Sequence, residues 1–362
     1  MHQPTRLTGI DLCRGLAAFA VILVHSGDET WGIPISDRAI QFRHLFYFAV
    51  PFFLAASFYF ATIKFPLKIS FAFWQKKFRR IVLPYFLWSL FYIVSKFFVF
   101  LITNNTSQLT QLLADPVAII FFGGASYHLY FIPLLVAGTS WLCLVNYISN
   151  LKKTIFWLSI GTLISVLIYQ VLLISNNSFD LGSYTAFPQL LAQFNSGSVS
   201  YTIARIILVN IAWIIRCLPY FLLALLFNQL FRRNNISWLY QKSIIILLLF
   251  VFLFINIFAK NLLPMAFKEI AIAYLLLLLS IGVSKYLKKN AIITSLGLCS
   301  FGIYLIHPFV KSIVEIVFFN FLPQVNQSVS IGSILIYSIS SFLVSWLIII
   351  VLLKNKFFAQ YI

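Results

Sequence analysis

The stretch GIDLCRGLAAFAVILVHSGD, residues 9–28, is apolar except for a few side chains, of which Asp11, Arg14 and His25 can do chemistry. A neutral imidazole takes up a proton near neutral pH, so His25 is a candidate general base. Arg14 and His25 are eleven residues apart, on one helix face and roughly 16 Å apart along its axis. Asp11 is spaced to pair with Arg14. These residues alone leave open whether His25 does chemistry or is a hydrogen-bonded interior side chain.

Other polar groups share the half of the membrane in which His25 is expected. With alternate span directions, four histidines fall in the outer half: His25, His44, His128 and His307. Arg205 and Arg216 are again eleven residues apart on one predicted helix face. An outward-facing polar chamber would account for these groups together, with residues 103–127, 175–204 and 319–330 as its roof. The alternative is a set of unrelated polar groups near helix ends.

A basic cluster lies where the third predicted span begins, in WQKKFRRIVLPYFLW, residues 74–88. Lysine and arginine suit phosphate groups, so Lys77, Arg79 and Arg80 are candidates for binding an anionic cytoplasmic ligand. Basic residues at this place also set topology and contact anionic lipids. The cluster therefore has both a structural and a functional interpretation.

The composition predicts an all-α membrane protein. Hydrophobic residues make up 61% of the 362 residues and charged residues only 9%, whereas soluble domains carry about 25% charged residues. A spanning helix needs about 20 mostly apolar residues. Ten segments are candidates: 9–27, 41–63, 80–102, 128–149, 154–175, 203–230, 239–259, 266–284, 293–318 and 330–353. We expect one transmembrane domain that covers residues 1–362.

The positions of the basic residues predict the orientation. With the N-terminus in the cytoplasm, seventeen of the 26 lysines and arginines fall on the cytoplasmic side. Only four fall outside, at Arg38, Arg43, Lys260 and Lys268. Because cytoplasmic loops are enriched in lysine and arginine, this predicts that both termini are cytoplasmic. Separately, we expect the protein to lie in the inner or plasma membrane.

Two classes of ligand are not expected. The net charge of +18 is distributed over alternate loops rather than gathered on one face, which argues against nucleic acid. The four cysteines are scattered, without a Cys-x-x-Cys motif, so no metal site is predicted.

Four segments together resemble motifs of the acyltransferase-3 family of integral membrane O-acyltransferases. LTGIDLCRGLAAFAVILVHSG is similar to the opening motif of the family, with its Asp, Arg-Gly and downstream His in this order. KKFRRIVLPYF resembles the third-span motif and YHLYFIPLLV the fourth-span motif. SFGIYLIHP resembles the late Ser-x-x-Ile-Tyr-Leu-x-His motif. The resemblance covers essentially the whole chain.

The resemblance implies a ten-span enzyme that moves an acyl group, commonly acetyl from acetyl-CoA, to a carbohydrate or lipid-linked glycan of the cell envelope. His25 would be the general base or would relay the acyl group. Asp11 would hold Arg14, which guides the donor. Lys77, Arg79 and Arg80 would bind the phosphates of CoA. The acceptor would meet residues of the outer chamber: His128, Tyr130, Tyr304, His307, Arg205 and Arg216.

The chain departs from the family pattern in its second span. FFLAASFYF has Ala56 where a serine is expected and Ser57 where a glycine is expected, which puts a close helix approach there in doubt. We expect a stand-alone member without an appended esterase-like domain.

Two other functions remain possible from the sequence. The first is export of a polysaccharide or a lipid-linked sugar through the same chamber. Transporters often contain inverted repeats, which this sequence does not show, so the enzyme is favoured. The second is a non-catalytic scaffold, which leaves Arg14 and His25 unexplained.

Overall fold

The computed structural model describes residues 6–27, 35–63, 67–103, 110, 113–234, 236–258, 262–321 and 329–361. In these residues the regular structure is helical, with two isolated β-bridges and no strand. Helices α1 to α7 are Thr8–Val24, Asp37–His44, Ala49–Thr62, Phe71–Lys77, Leu83–Ile102, Phe131–Gly138 and Val145–Ser149. Helices α8 to α14 are Thr154–Ile174, Pro188–Leu191, Val199–Arg233, Lys242–Phe258, Met265–Val283, Ala291–Phe321 and Ile331–Lys354.

Eight helical segments in the described residues are long and apolar enough to cross a membrane. Three of them join shorter pieces, namely α2 with α3, α4 with α5, and α6 with α7. The first and seventh predicted spans are α1 and α11, which have 17 residues each and lie at the short end of the spanning range. The prediction of an all-α polytopic membrane protein is therefore confirmed, while the orientation stays a prediction.

Helix α1 lies inside the bundle, where it packs against α13 and also against α3, α12 and α14. Small side chains make this close approach possible, as in other membrane helix pairs. Ala17, Ala18 and Ala20 are completely buried. Gly9 faces the Ser280 carbonyl of α12 so closely that a Cβ would overlap it. This packing fixes the helix that carries Asp11, Arg14 and His25.

A break in helical structure precedes α6 and places His128. A π-helical turn, Ala118–Phe122, ends at Gly123, whose φ of +82° is a left-handed conformation that favours glycine. A Cβ at Gly123 would overlap the backbone of Leu129 and Tyr130. The hydroxyl of Tyr85 accepts from the Gly123 N–H at 3.0 Å and donates to the Ile119 carbonyl at 2.6 Å. The turn is thus anchored to α5.

Of the three predicted roof segments, only 175–204 lies entirely within the described residues. Residues 104–109, 111–112 and 322–328 of the other two lie outside them. In the described segment, the Phe179 ring stacks on Tyr130 with ring centroids 6.0 Å apart and contacts Trp213 at 4.9 Å. This segment therefore packs down onto the helices next to the polar groups.

Candidate active site

Three histidines from distant parts of the chain come together. His25 ends α1, His128 precedes α6 and His307 lies within α13. The rings of His128 and His307 have centroids 5.0 Å apart, and those of His25 and His307 are 6.3 Å apart. Tyr127 completes this histidine cluster, with its ring centroid 4.4 Å from that of His25. The sequence grouped these histidines in one half of the membrane but did not single out Tyr127.

His44, the fourth histidine of the predicted group, is placed differently. It ends α2, and its ring packs on Tyr47 with centroids 4.7 Å apart. The ring contacts described for the cluster do not include His44.

Pro308 explains how the His307 ring is held. A proline has no N–H, so Pro308 cannot donate to the carbonyl four residues earlier, which belongs to Tyr304. That carbonyl accepts instead from the Nδ1 of His307 at 2.7 Å. Because a carbonyl oxygen only accepts, Nδ1 carries the proton, and Nε2 of the neutral ring keeps its lone pair. His307 is completely buried, and its Nε2 has no hydrogen-bond partner among the described residues.

His128 has both ring nitrogens engaged. Its Nε2 donates to the Leu305 carbonyl at 3.3 Å, which leaves Nδ1 to accept from the Ser126 hydroxyl at 3.1 Å. Tyr304 donates to the backbone carbonyl of His128, and Tyr92 donates to the Leu305 carbonyl at 2.7 Å. These bonds tie the segment before α6, and α5, to α13 close to Pro308. The observed bonds of His128 hold the cluster together, and its predicted contact with substrate stays a prediction.

His25 lies at the end of α1, where its backbone carbonyl accepts a hydrogen bond from Lys311 of α13. The Lys311 ammonium lies 5.8 Å from the centroid of the Tyr127 ring, within range of a cation–π interaction. The imidazole of His25 is half-buried, in contrast to the complete burial of His307. Lys311 therefore fixes the end of the helix and adds a positive charge beside the cluster.

A cavity of about 210 Å³ lies on the Arg14 side of the cluster. Arg14 lines it at one place and Tyr304 at another, with apolar walls that include Phe60. Ala56 and Ser57, the two departures from the family pattern, also line it. The Tyr304 ring contacts those of His128 and His307, with centroids 5.2 and 6.1 Å apart. Tyr304 thus connects the cavity with the cluster.

The predicted pair between Asp11 and Arg14 is wrong as a hydrogen-bonded contact. The Asp11 carboxylate instead accepts from Nε of Arg6, whose guanidinium also donates to the Thr294 carbonyl at 3.1 Å. Asp11 acts on Arg14 only electrostatically. Since Asp11 lies against Gly297, where a Cβ would overlap it, tight packing with α13 determines how the carboxylate points. Arg14 faces the cavity and makes no hydrogen bond within the described residues.

The three basic residues predicted to bind the donor are not equivalent. Lys77 ends α4 and lines a second cavity, of about 430 Å³, together with Trp74 and Thr139. Arg79 and Arg80 lie on the following π-helical turn, are exposed, and line neither cavity. The structure therefore singles out Lys77 within the group.

The two arginines expected to share the chamber belong to separate networks. Arg205 is buried and donates to Asp115 at 2.6 Å and to the Tyr184 carbonyl at 3.0 Å. These bonds tie α10 to two connecting segments. Its role in binding substrate stays a prediction beside this structural one.

Arg216 lies farther along α10 and contacts Glu269 of α12 at 3.4 Å. The same carboxylate accepts from Tyr169 at 2.9 Å. Tyr130 lies within electrostatic range of both Arg216 and Glu269, and also of Tyr304. Tyr130 is therefore near this network and also near Tyr304, whose ring contacts the histidine cluster. The sequence missed Glu269 and Tyr169 because they are far apart along the chain and belong to no motif.

Comparison with protein families gives one match. A family model described as an acyltransferase domain matches residues 7–350, nearly the whole chain. No curated protein and no solved structure matches. The matched range contains every predicted site residue, from Asp11 to His307.

Proposed function

The chain belongs to the acyltransferase-3 family of membrane proteins, and from this we propose that it moves an acyl group, most simply acetyl, from acyl-CoA to a hydroxyl group of a carbohydrate or lipid-linked glycan. The donor would approach from the cytoplasm and the acceptor from the outer side of the inner or plasma membrane. The protein would then serve O-acetylation of a cell-envelope glycan.

One observation carries the proposal, namely that a cavity lined by Arg14 adjoins the histidine cluster at Tyr304. Arg14 and Tyr304 both line the cavity, and the Tyr304 ring contacts those of His128 and His307. A cavity of about 210 Å³ with apolar walls suits the narrow acyl-bearing arm of a donor rather than a whole nucleotide. The histidine cluster would then meet the reactive end.

The second cavity supports a place for the charged end of the donor. Lys77 is one of the lining residues, together with Phe71 and Trp74. A cation suits phosphates, and aromatic side chains suit a nucleobase. These residue types fit a CoA moiety, which Lys77 would hold at its phosphates while Arg14 guides the arm.

The chemistry required is transfer from sulfur to oxygen. The acceptor oxygen bonds to the acyl carbon, the carbon–sulfur bond breaks, and the hydroxyl proton must leave. A side chain that takes this proton contributes about 10²- to 10⁴-fold to the rate. His25 is half-buried at the end of α1, a position from which it can reach substrate as a base or as an acyl relay.

The test is transfer of label from labelled acetyl-CoA in membranes that contain the protein. Wild type should label a glycan or glycolipid fraction, and His25→Ala should reduce this labelling at least about 100-fold. His44→Ala is the matched control, because His44 packs on Tyr47 rather than in the cluster. Absence of labelling by wild type, or full labelling by His25→Ala, would contradict the proposal. Movement of an unmodified glycan across vesicles without labelling would favour export instead.

A further inference from the structure

A buried nitrogen in the histidine cluster has a fixed lone pair that nothing in the described residues uses. His307 is 0% exposed, and its Nε2 makes no hydrogen bond there. A buried polar atom without a partner costs free energy, and such an atom in a native protein requires an explanation. An explanation that fits a catalytic cluster is that the atom meets substrate.

The proton arrangement of His307 follows from the sequence Leu-Ile-His-Pro. Pro308 leaves the Tyr304 carbonyl without its helical donor, and His307 Nδ1 fills that place at 2.7 Å. The remaining nitrogen, Nε2, is therefore the acceptor in the neutral ring. The backbone of α13 thus determines which nitrogen of His307 can take a proton.

His128, whose ring lies nearest to that of His307 among the contacts described, does not compete for that role. Both nitrogens of His128 are engaged, with Ser126 and with the Leu305 carbonyl. The titratable or charged groups that face His307 among the described residues are His25, Tyr127, His128, Tyr304 and Lys311. A hydroxyl group that enters between His25 and His307 would find Nε2 of His307 ready to accept its hydrogen bond.

We propose that Nε2 of His307 is the atom that takes the proton from the acceptor hydroxyl, which makes His307 a catalytic residue beside His25. The inference rests on the proposed acyl transfer. As the hydroxyl oxygen bonds to the acyl carbon and the carbon–sulfur bond breaks, the hydroxyl proton moves to Nε2. His307 then carries a positive charge until the proton passes to the departing thiolate, which leaves as a thiol. The neutral ring is restored, and Nδ1 keeps its bond to Tyr304 throughout.

Two amide substitutions separate this role from a structural one. In His307→Asn, the side-chain amide can replace Nδ1–H as the donor to the Tyr304 carbonyl, but it has no atom at the position of Nε2. In His307→Gln, the amide reaches the position of Nε2 but is not basic enough to take a proton. Transfer of label from acetyl-CoA is measured in membranes for both variants, with His44→Asn as control. Folding is monitored by thermal unfolding in detergent.

We expect His307→Asn to unfold within a few degrees of wild type, yet to transfer at least about 100-fold less label. His307→Gln should transfer label equally slowly, and His44→Asn should transfer as much label as wild type. If His307→Gly is folded, added imidazole should restore part of its transfer.

Transfer by His307→Asn within threefold of wild type would show that only the bond to Tyr304 matters, and would overturn the inference. If neither amide variant folds, the result with imidazole on His307→Gly decides, and no restoration in the folded protein also overturns it. Failure of wild type to transfer label is a different outcome, because it refutes the proposed function itself.

Discussion

The carboxylate of Asp11 is hydrogen-bonded to Arg6, five residues before it, and not to Arg14, three residues after it. The two arginines near the start of α1 therefore have different tasks. Arg6 neutralises a buried carboxylate at the contact with α13, where it also donates to Thr294. Arg14 is left to face the cavity.

This division predicts that two alanine substitutions affect different properties of the protein, one its stability and the other its activity. Arg6→Ala removes the partner of a buried carboxylate and should destabilise the protein by about 1–3 kcal/mol. Arg14→Ala should leave stability nearly unchanged and lower transfer on the order of 10- to 100-fold, because the donor arm loses its guide. Thermal unfolding and labelled acetyl transfer, measured on the same preparations, check both. Equal loss of stability in the two variants would mean that Arg14 also holds the helix contact.

Pro308→Ala tests the link between the interior proline of α13 and the site. Alanine restores an N–H that can donate to the Tyr304 carbonyl and compete with Nδ1 of His307. We expect a stability equal to or above that of wild type, since an interior proline disfavours a helix by about 3 kcal/mol. Transfer should fall about 10-fold or more because the His307 ring loses its fixed orientation. Pro219→Ala, in α10, is the control for the removal of an interior proline, and equal activity of both variants would contradict the link.

The sequence placed His25, His128 and His307, together with His44, in one half of the membrane, because that placement depends on alternating span direction. It did not predict that three of them meet while His44 packs on Tyr47. The sequence could not predict which arginine donates a hydrogen bond to which carboxylate. Spacing allows Asp11 to pair with Arg14, but the close contact with Gly297 turns the carboxylate elsewhere. The bonds of Arg205 to Asp115 and Tyr184 depend on the path of two connecting segments, and no local pattern encodes such a path.

Lys77 should matter more to the donor than the exposed arginine two residues later. Lys77→Ala should raise the KM for acetyl-CoA about 10-fold or more with little change in kcat, because a charged contact to phosphate is lost. Arg79→Ala should change the KM less than threefold, since Arg79 is exposed and lines neither cavity. Steady-state transfer at varied acetyl-CoA concentration measures both values. A larger effect for Arg79 would place the donor on the outer surface of the π-helical turn instead.

The pair of Arg205 and Asp115 predicts how the connecting segments respond to acid. Partial burial alone would raise the pKa of Asp115, but the hydrogen bonds from Arg205 and from the Ala118 N–H outweigh it and hold the pKa below its usual value. A carboxylate with a lowered pKa stabilises the native state above its unfolded pKa of about 3.9, and this contribution is lost as the pH falls through the lower native value. Wild type should therefore lose stability below about pH 4 more steeply than Asp115→Asn, which lacks the titrating group.

Thermal unfolding between about pH 3 and pH 6 measures this difference. Asp180→Asn is the control, because Asp180 also has a lowered pKa, owing to Ser183 and the Gly182 N–H, but makes no ion pair with Arg205. The loss of stability of Asp180→Asn with falling pH should differ from that of wild type only by the contribution of the bonds from Ser183 and from the Gly182 N–H. If Asp115→Asn and wild type lose stability in parallel, the pair with Arg205 does not contribute to the folded state, and Arg205 becomes available for the substrate-binding role that the sequence predicted.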